Sequence, residues 1–303
     1  MPTHVIIGRG ATASATAVLL ADAGASVRMV SRSGLGPRHP NIETAVVDAT
    51  DVDALTALVE GAGTVFNAAM PAYHTWPQEV PGLFGAILSA TEKVGADLVM
   101  LGNLYGYGPA DAPLTEDAPL AATGPKGAVR ARMWGEALAA HQAGRLRVTE
   151  VRAGQFLGAG AISVFSLMVQ QQVLSGRPVL VPQALDLPHS YTATTDAAAA
   201  LVAVSRGDGA WGRAWHAPTI TVTLRALAGR LAELAGVEPP GLSVMSDREL
   251  ALLALTGPFW GEAFETYYMS HREFTADDTA LRREFGVAAT ALDEVLATLL
   301  PAA

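Results

Sequence analysis

The chain has 303 residues, half of them hydrophobic, with 20 basic against 29 acidic side chains and a formal charge of −9. That is enough apolar material for one large α/β domain or two unequal ones, and it excludes a disordered chain. The acidic balance, with no basic run, argues against a nucleic-acid partner, and the absence of cysteine excludes disulfides and thiolate chemistry.

The first 32 residues organise the rest. An apolar run, His4-Val5-Ile6-Ile7, breaks into Gly8-Arg9-Gly10-Ala11-Thr12-Ala13, continues as a helix-forming segment and returns as Val27-Arg28-Met29-Val30-Ser31-Arg32. This is the strand, phosphate turn, helix and second strand of a dinucleotide-binding unit. Gly8 permits the turn, Gly10 admits a pyrophosphate to the backbone amides, and Ala13 lets the helix pack closely on the strand, with Thr12 among the expected cofactor-binding residues. An NAD site usually ends its second strand in Asp or Glu. Here Ser31-Arg32-Ser33 suits a 2′-phosphate, with Arg9 as a second guanidinium, so NADP(H) is the expected cofactor.

Thr44 to Val47 reads as a third strand. Asp48 beyond it is placed to bond the adenine amine or, with Asp51, to cap a helix starting near Val52. Thr64 to Ala69 is a fourth strand whose small end residues, Ala68 and Ala69, suit close approach to the cofactor, and Asp97 to Leu101 is a fifth. Strands alternating with helical segments predict a doubly wound parallel sheet. No apolar run reaches the ~18 residues of a membrane span. With the first strand opening almost at Met1, no signal peptide is expected, and the expected location is cytoplasmic, with no membrane partner. No His, Asp or Glu cluster has metal-ligand spacing, so no metal is expected.

Asn67-Ala68-Ala69, Leu104-Tyr105-Gly106-Tyr107-Gly108-Pro109, Val151-Arg152-Ala153-Gly154-Gln155-Phe156-Leu157-Gly158 and the stretch from Pro188 to Ala197 resemble the extended short-chain dehydrogenase/reductases, the family of nucleotide-sugar epimerases and dehydratases. The resemblance implies a Rossmann domain over 1–158, with 185–205 returning to it. It also implies a smaller, mostly helical substrate lobe from 159–184 and 206–303. A homodimer is implied too. A typical member carries Tyr-x-x-x-Lys on the helix after strand five, the tyrosine exchanging a proton with substrate and the lysine lowering its pKa and holding the ribose. None of the six tyrosines has lysine four residues on. If Glu136 matches the family's glutamate, the pair becomes Ala128 and Arg132. The chain also resembles a bacterial group described only as epimerase/dehydratase-like.

Three residues are candidates for the missing chemistry. Lys126, one of two lysines in the chain, is a proton donor or ribose clamp, or else a solvated residue at a helix start. Tyr105 donates a proton at the strand ends, or packs with its hydroxyl on the backbone. Asn103 steadies an oxyanion or serves its own turn. Tyr73, His74 and Trp76 roof the nicotinamide or touch substrate, and His189 and Tyr191 resemble substrate-side positions. Phe259, Trp260, Phe264, Tyr267 and Tyr268 fall on one helical face, either core or pocket wall, and Ser246-Asp247-Arg248-Glu249 is a capping box. The expected activity is hydride transfer on a small carbonyl or hydroxyl compound. The alternatives are a redox-neutral isomerase, cyclase or dehydratase, and a non-enzymatic NADP(H)-sensing protein.

Overall fold

The computed structural model describes residues 3–111 and 113–301, so the outermost two residues of each expected domain lie outside it. The first half alternates as the sequence predicts: β1 (Thr3–Ile7), α1 (Ala11–Asp22), β2 (Val27–Ser31), β3 (Ile42–Val46), α2 (Val52–Val59), β4 (Ala62–Asn67), α3 (Trp76–Val94), β5 (Asp97–Asn103), α4 (Pro125–Gln142) and β6 (Val148–Ala153). There follow β7 (Gln155–Leu157), α5 (Gln170–Leu174), β8 (Val179–Val181), β9 (Pro188–Ala193), α6 (Thr194–Arg206), β10 (Ala214–His216), β11 (Ile220–Thr223) and α7 (Leu224–Ala235). The chain closes with β12 (Leu242–Val244), α8 (Asp247–Ala254), α9 (Pro258–Gly261), α10 (Tyr267–His271), α11 (Thr279–Phe285) and α12 (Leu292–Ala297).

The main sheet has seven parallel strands in the order β10-β6-β5-β4-β1-β2-β3. Successive side chains of a strand point to opposite faces. Val5, Ile7, Val65, Leu98 and Met100 accordingly pack under α2, α3 and α4, while Ile6, Phe66, Val99 and Val151 pack under α1 and α6. Burial on both faces is why these strands read as continuous apolar runs. The strand order reverses between β1 and β4, and the crevice beyond the carboxyl ends there is where such sheets bind ligands.

The boundary of the second lobe differs from expectation. β9 pairs with β7 and β11 in a separate three-stranded sheet, and the strand that rejoins the main sheet is β10, inside the stretch expected to be lobe. Three residues are too few to show a strand period, so β10 is silent in the sequence. Phe259 to Tyr268 is also not one helix: α9, a 3-10 turn (Glu262–Phe264) and α10 break it into short pieces. Ser246 does cap α8 with the full reciprocal box. Among the described residues no helix is long and apolar enough to cross a membrane.

Candidate active site

The phosphate turn is shaped by backbone approach. Gly8 sits at φ +122° and donates its N–H to Val30 O at 2.9 Å. A Cβ there would lie 2.8 Å from Ala68 O, so only glycine permits β1 and β4 to close at this point. Gly10 caps α1 without a side-chain bond, no acidic residue occupies the first turn, and a Cβ at Gly10 would meet nothing within 4 Å. The first-turn amides have no intrahelical acceptor, Ala13 and Thr12 are buried against the sheet, and Arg9 is exposed. This open, donor-rich helix end fits a pyrophosphate.

At the end of β2, Arg32 is exposed and makes no ion pair among the described residues. The adjacent serines hold the turn, Ser31 Oγ accepting from Gly34 N at 3.1 Å and Ser33 Oγ from Leu35 N at 3.4 Å. Asp48 Oδ1 accepts from Thr50 N at 3.0 Å and from Thr50 Oγ1 at 2.8 Å, which hold its carboxyl below the usual range. The cap of α2 is Asp51, accepting from Ala54 N at 3.0 Å. Asn67 Oδ1 accepts from Ala69 N at 3.2 Å and fixes the chain leaving β4.

Beyond β4 and β5 an aromatic cluster assembles. Tyr73 opens a 3-10 turn with His74, and its ring meets Trp76, Tyr105 and Phe259 with centroids 5.1, 6.3 and 5.1 Å away. Tyr73 donates its hydroxyl to Tyr105 Oη at 3.2 Å. Burial pushes both phenols above their usual value, with Arg130 and Lys126 opposing the shift at Tyr105. Asn103 spends Oδ1 on Tyr105 N at 3.1 Å; it positions Tyr105 by capping its turn and does not present that oxygen to a ligand.

On α4 the pair facing the strand ends is Lys126 and Arg130, 1% and 7% exposed. Ala128 and Arg132, the pair expected from Glu136, are exposed, and Arg132 bonds Glu136 on the surface at 2.6 Å. Counting back from one glutamate set the wrong helical phase, and a shift of two residues turns a helix face by about half a turn. Lys126 is no solvated loop residue and no free donor. Its ammonium is held by Glu262 and by Glu265 at 2.9 Å and lies 4.8 Å from the Tyr73 ring centroid, while its amide donates to Glu265 Oε1 at 2.6 Å. Arg130 donates to Leu101 O at 3.2 Å and lies 4.9 Å over Trp76, and its Nε is buried with no partner. Such an orphaned donor in the crevice fits an oxygen-rich ligand there.

The expected substrate-side residues His189 and Tyr191 are enclosed, at 1% and 0% exposure. His189 faces Leu187 O at 3.0 Å and Met269 O at 2.9 Å, and Tyr191 accepts from Gln183 Nε2 at 3.1 Å. They brace the lobe and offer no surface to a substrate, because β9 is an inner strand of its sheet. A cavity of about 250 Å³ opens instead beside Tyr105, lined also by Thr123, Gly124, Glu265, Thr266 and Tyr268. A second buried network went unseen in the sequence: Arg152 bonds Glu150 and Tyr107, each at 2.7 Å, and Tyr107 meets His216 Nε2 at 2.7 Å. The signal for Glu262 and Glu265 was their i, i+3 spacing among the aromatics. Nothing local linked them to Lys126.

The fold recurs in proteins of known structure. An epimerase from Methanothermobacter thermautotrophicus shares 18% identity at a TM-score of 0.81, covering 98% of this chain and 90% of its own. A dTDP-glucose 4,6-dehydratase from Streptomyces venezuelae, solved with NAD and TYD bound, shares 18% at 0.78 over 98% and 96%. A UDP-glucose 4-epimerase from Thermotoga maritima, solved with UDP-glucose, shares 15% at 0.78 over 98% and 97%. No curated protein matches the chain in sequence. The profile of the NAD dependent epimerase/dehydratase family matches residues 5–214, from within β1 to the first residue of β10, and the chain belongs to that family.

Proposed function

We propose that this enzyme is an NADP(H)-dependent oxidoreductase or epimerase-like catalyst for a small carbonyl or hydroxyl compound, with Tyr105 as the proton-handling residue. The observation that carries the reading is the hydroxyl pair. Tyr105 accepts from Tyr73 and lines the cavity, so its own proton is free for a ligand oxygen. A phenol held protonated by burial is an acid, and the alkoxide left by hydride addition to a carbonyl is a stronger base than a phenolate. Tyr105 therefore serves the reductive direction. Tyr73, by donating to Tyr105, and the cations Lys126 and Arg130 stabilise the phenolate left behind. A bound nicotinamide supplies or takes the hydride.

Gly8, Gly10 and the amides of α1 would hold the pyrophosphate, and the NAD bound in the Streptomyces dehydratase supports a dinucleotide here. Ser31-Arg32-Ser33, with no acid at the end of β2, supports the 2′-phosphate form. Calorimetry with NADPH, NADP⁺, NADH and NAD⁺ tests this. Arg32→Ala is expected to weaken NADPH about tenfold, the worth of one charge-assisted contact, and to leave NADH unchanged. Equal affinity for NADH and NADPH would remove the NADP(H) assignment. Tyr105→Phe is expected to cut carbonyl-dependent NADPH consumption about 10²- to 10³-fold with NADPH affinity retained; unchanged turnover would remove Tyr105 from the mechanism.

A further inference from the structure

We infer that the compound acted on carries an ammonium group and that Glu265 selects it. This rests on the carbonyl-compound reading above and narrows it. The cavity of about 250 Å³ lies below the roughly 300–1,000 Å³ of pockets for drug-sized ligands. It accommodates a group the size of one monosaccharide. The charged side chain in its lining is Glu265, with hydroxyls from Tyr105, Thr123, Thr266 and Tyr268. No arginine, lysine or histidine lines it among the described residues, so an anionic group inside it would lack a counterion and face a carboxylate.

Of the neighbouring cations, Lys126 is enclosed between Glu262 and Glu265, and Arg130, whose Nε is unpartnered, is bonded to Leu101 O, lies over Trp76 and stands outside the cavity lining. Two carboxylates share one ammonium, which leaves a negative charge for a ligand to neutralise. Glu265 keeps 16% of its side chain exposed. Each of its oxygens has one donor, Lys126 N on Oε1 and Lys126 Nζ on Oε2, and a carboxylate oxygen accepts two. An ammonium in the cavity fills that vacant capacity, and the tyrosines beside it offer further acceptors and aromatic surface compatible with a cation.

Titration calorimetry of the full chain with glucosamine, glucose and glucuronate, matched in ring size and different in charge, tests the inference. Glucosamine is expected to bind about fivefold more tightly than glucose, and glucuronate about fivefold more weakly, the worth of one partly screened charge pair. Glu265→Gln should bring glucosamine to within about twofold of glucose, and Glu265→Asp, which keeps the charge, should preserve most of the preference. No binding of glucosamine, glucuronate binding as tightly as glucosamine, or a preference that survives Glu265→Gln overturns it. The unsubstituted chain alone decides the sign, so a variant that fails to fold leaves nothing open. Affinity for NADPH is measured separately: its absence beside a clear ammonium preference strikes the redox reading alone, and its presence with no ammonium preference strikes this inference alone.

Discussion

The two sides of the crevice are built by opposite means. On the dinucleotide side the shaping contacts are local or join neighbouring strands: Gly8 N to Val30 O and Ala68 N to Ile7 O between strands, and the bonds of Ser31, Asp48 and Asn67 within their own turns. On the side of Tyr105 and Lys126 the contacts are between side chains far apart in the sequence. Lys126 reaches Glu262 and Glu265 across 136 and 139 residues, and Phe259 closes over Tyr73. The first side rests on its glycines and on the small, buried Ala13. The second is a charge and packing agreement between α4 and the lobe.

The sharpest way to break the comparison is Gly8→Ala. A Cβ at φ +122° pressed 2.8 Å from Ala68 O should cost about 3–5 kcal/mol of stability, strain and overpacking together, measured by urea unfolding. Gly10→Ala is its control. With nothing within 4 Å of the new Cβ, stability should change by less than about 0.5 kcal/mol, while dinucleotide affinity in calorimetry falls as the methyl blocks the pyrophosphate. If Gly10→Ala binds dinucleotide normally, the phosphate turn is not the site.

On the other side, Lys126→Met leaves two partly buried carboxylates without their ammonium. Breaking a buried pair costs about 3–5 kcal/mol, and the residual exposure of Glu262 and Glu265 lowers the expectation to about 2–3 kcal/mol. Adding Glu262→Gln and Glu265→Gln to that variant should restore most of it; no recovery would mean that Lys126 acts by packing and not by charge. A smaller effect is expected from acid. Burial holds His189 and His216 below the usual imidazole value, the latter beside Tyr107, Arg152, Glu116 and Asp277. With the folded value lowered, the unfolded chain binds the proton more readily. Their contribution is complete above the unfolded value of about 6.5 and is lost as pH falls below it. The urea midpoint should decline from pH 7 to 5.5, and a flat midpoint would contradict the assignment.

The sequence by itself determined the parts whose cause is local. The double-sided apolar runs specify buried parallel strands, Gly8 and Gly10 specify the phosphate turn, Asp51 and Ser246 specify helix starts, and the alternation of strand and helix specifies the winding. Each is set by backbone sterics or by a bond within a few residues. Tertiary structure decided what depends on phase and distance. It decided that α4 turns Lys126 and Arg130 inward and Ala128 and Arg132 outward, that the 3-residue β10 completes the sheet, and that His189 and Tyr191 are enclosed. It also decided that Glu262 and Glu265 arrive at Lys126 from the far end of the chain. A charge pair leaves no periodic trace in either of its partners, so the ionic contacts beside this crevice became visible only once the lobe had folded onto the sheet.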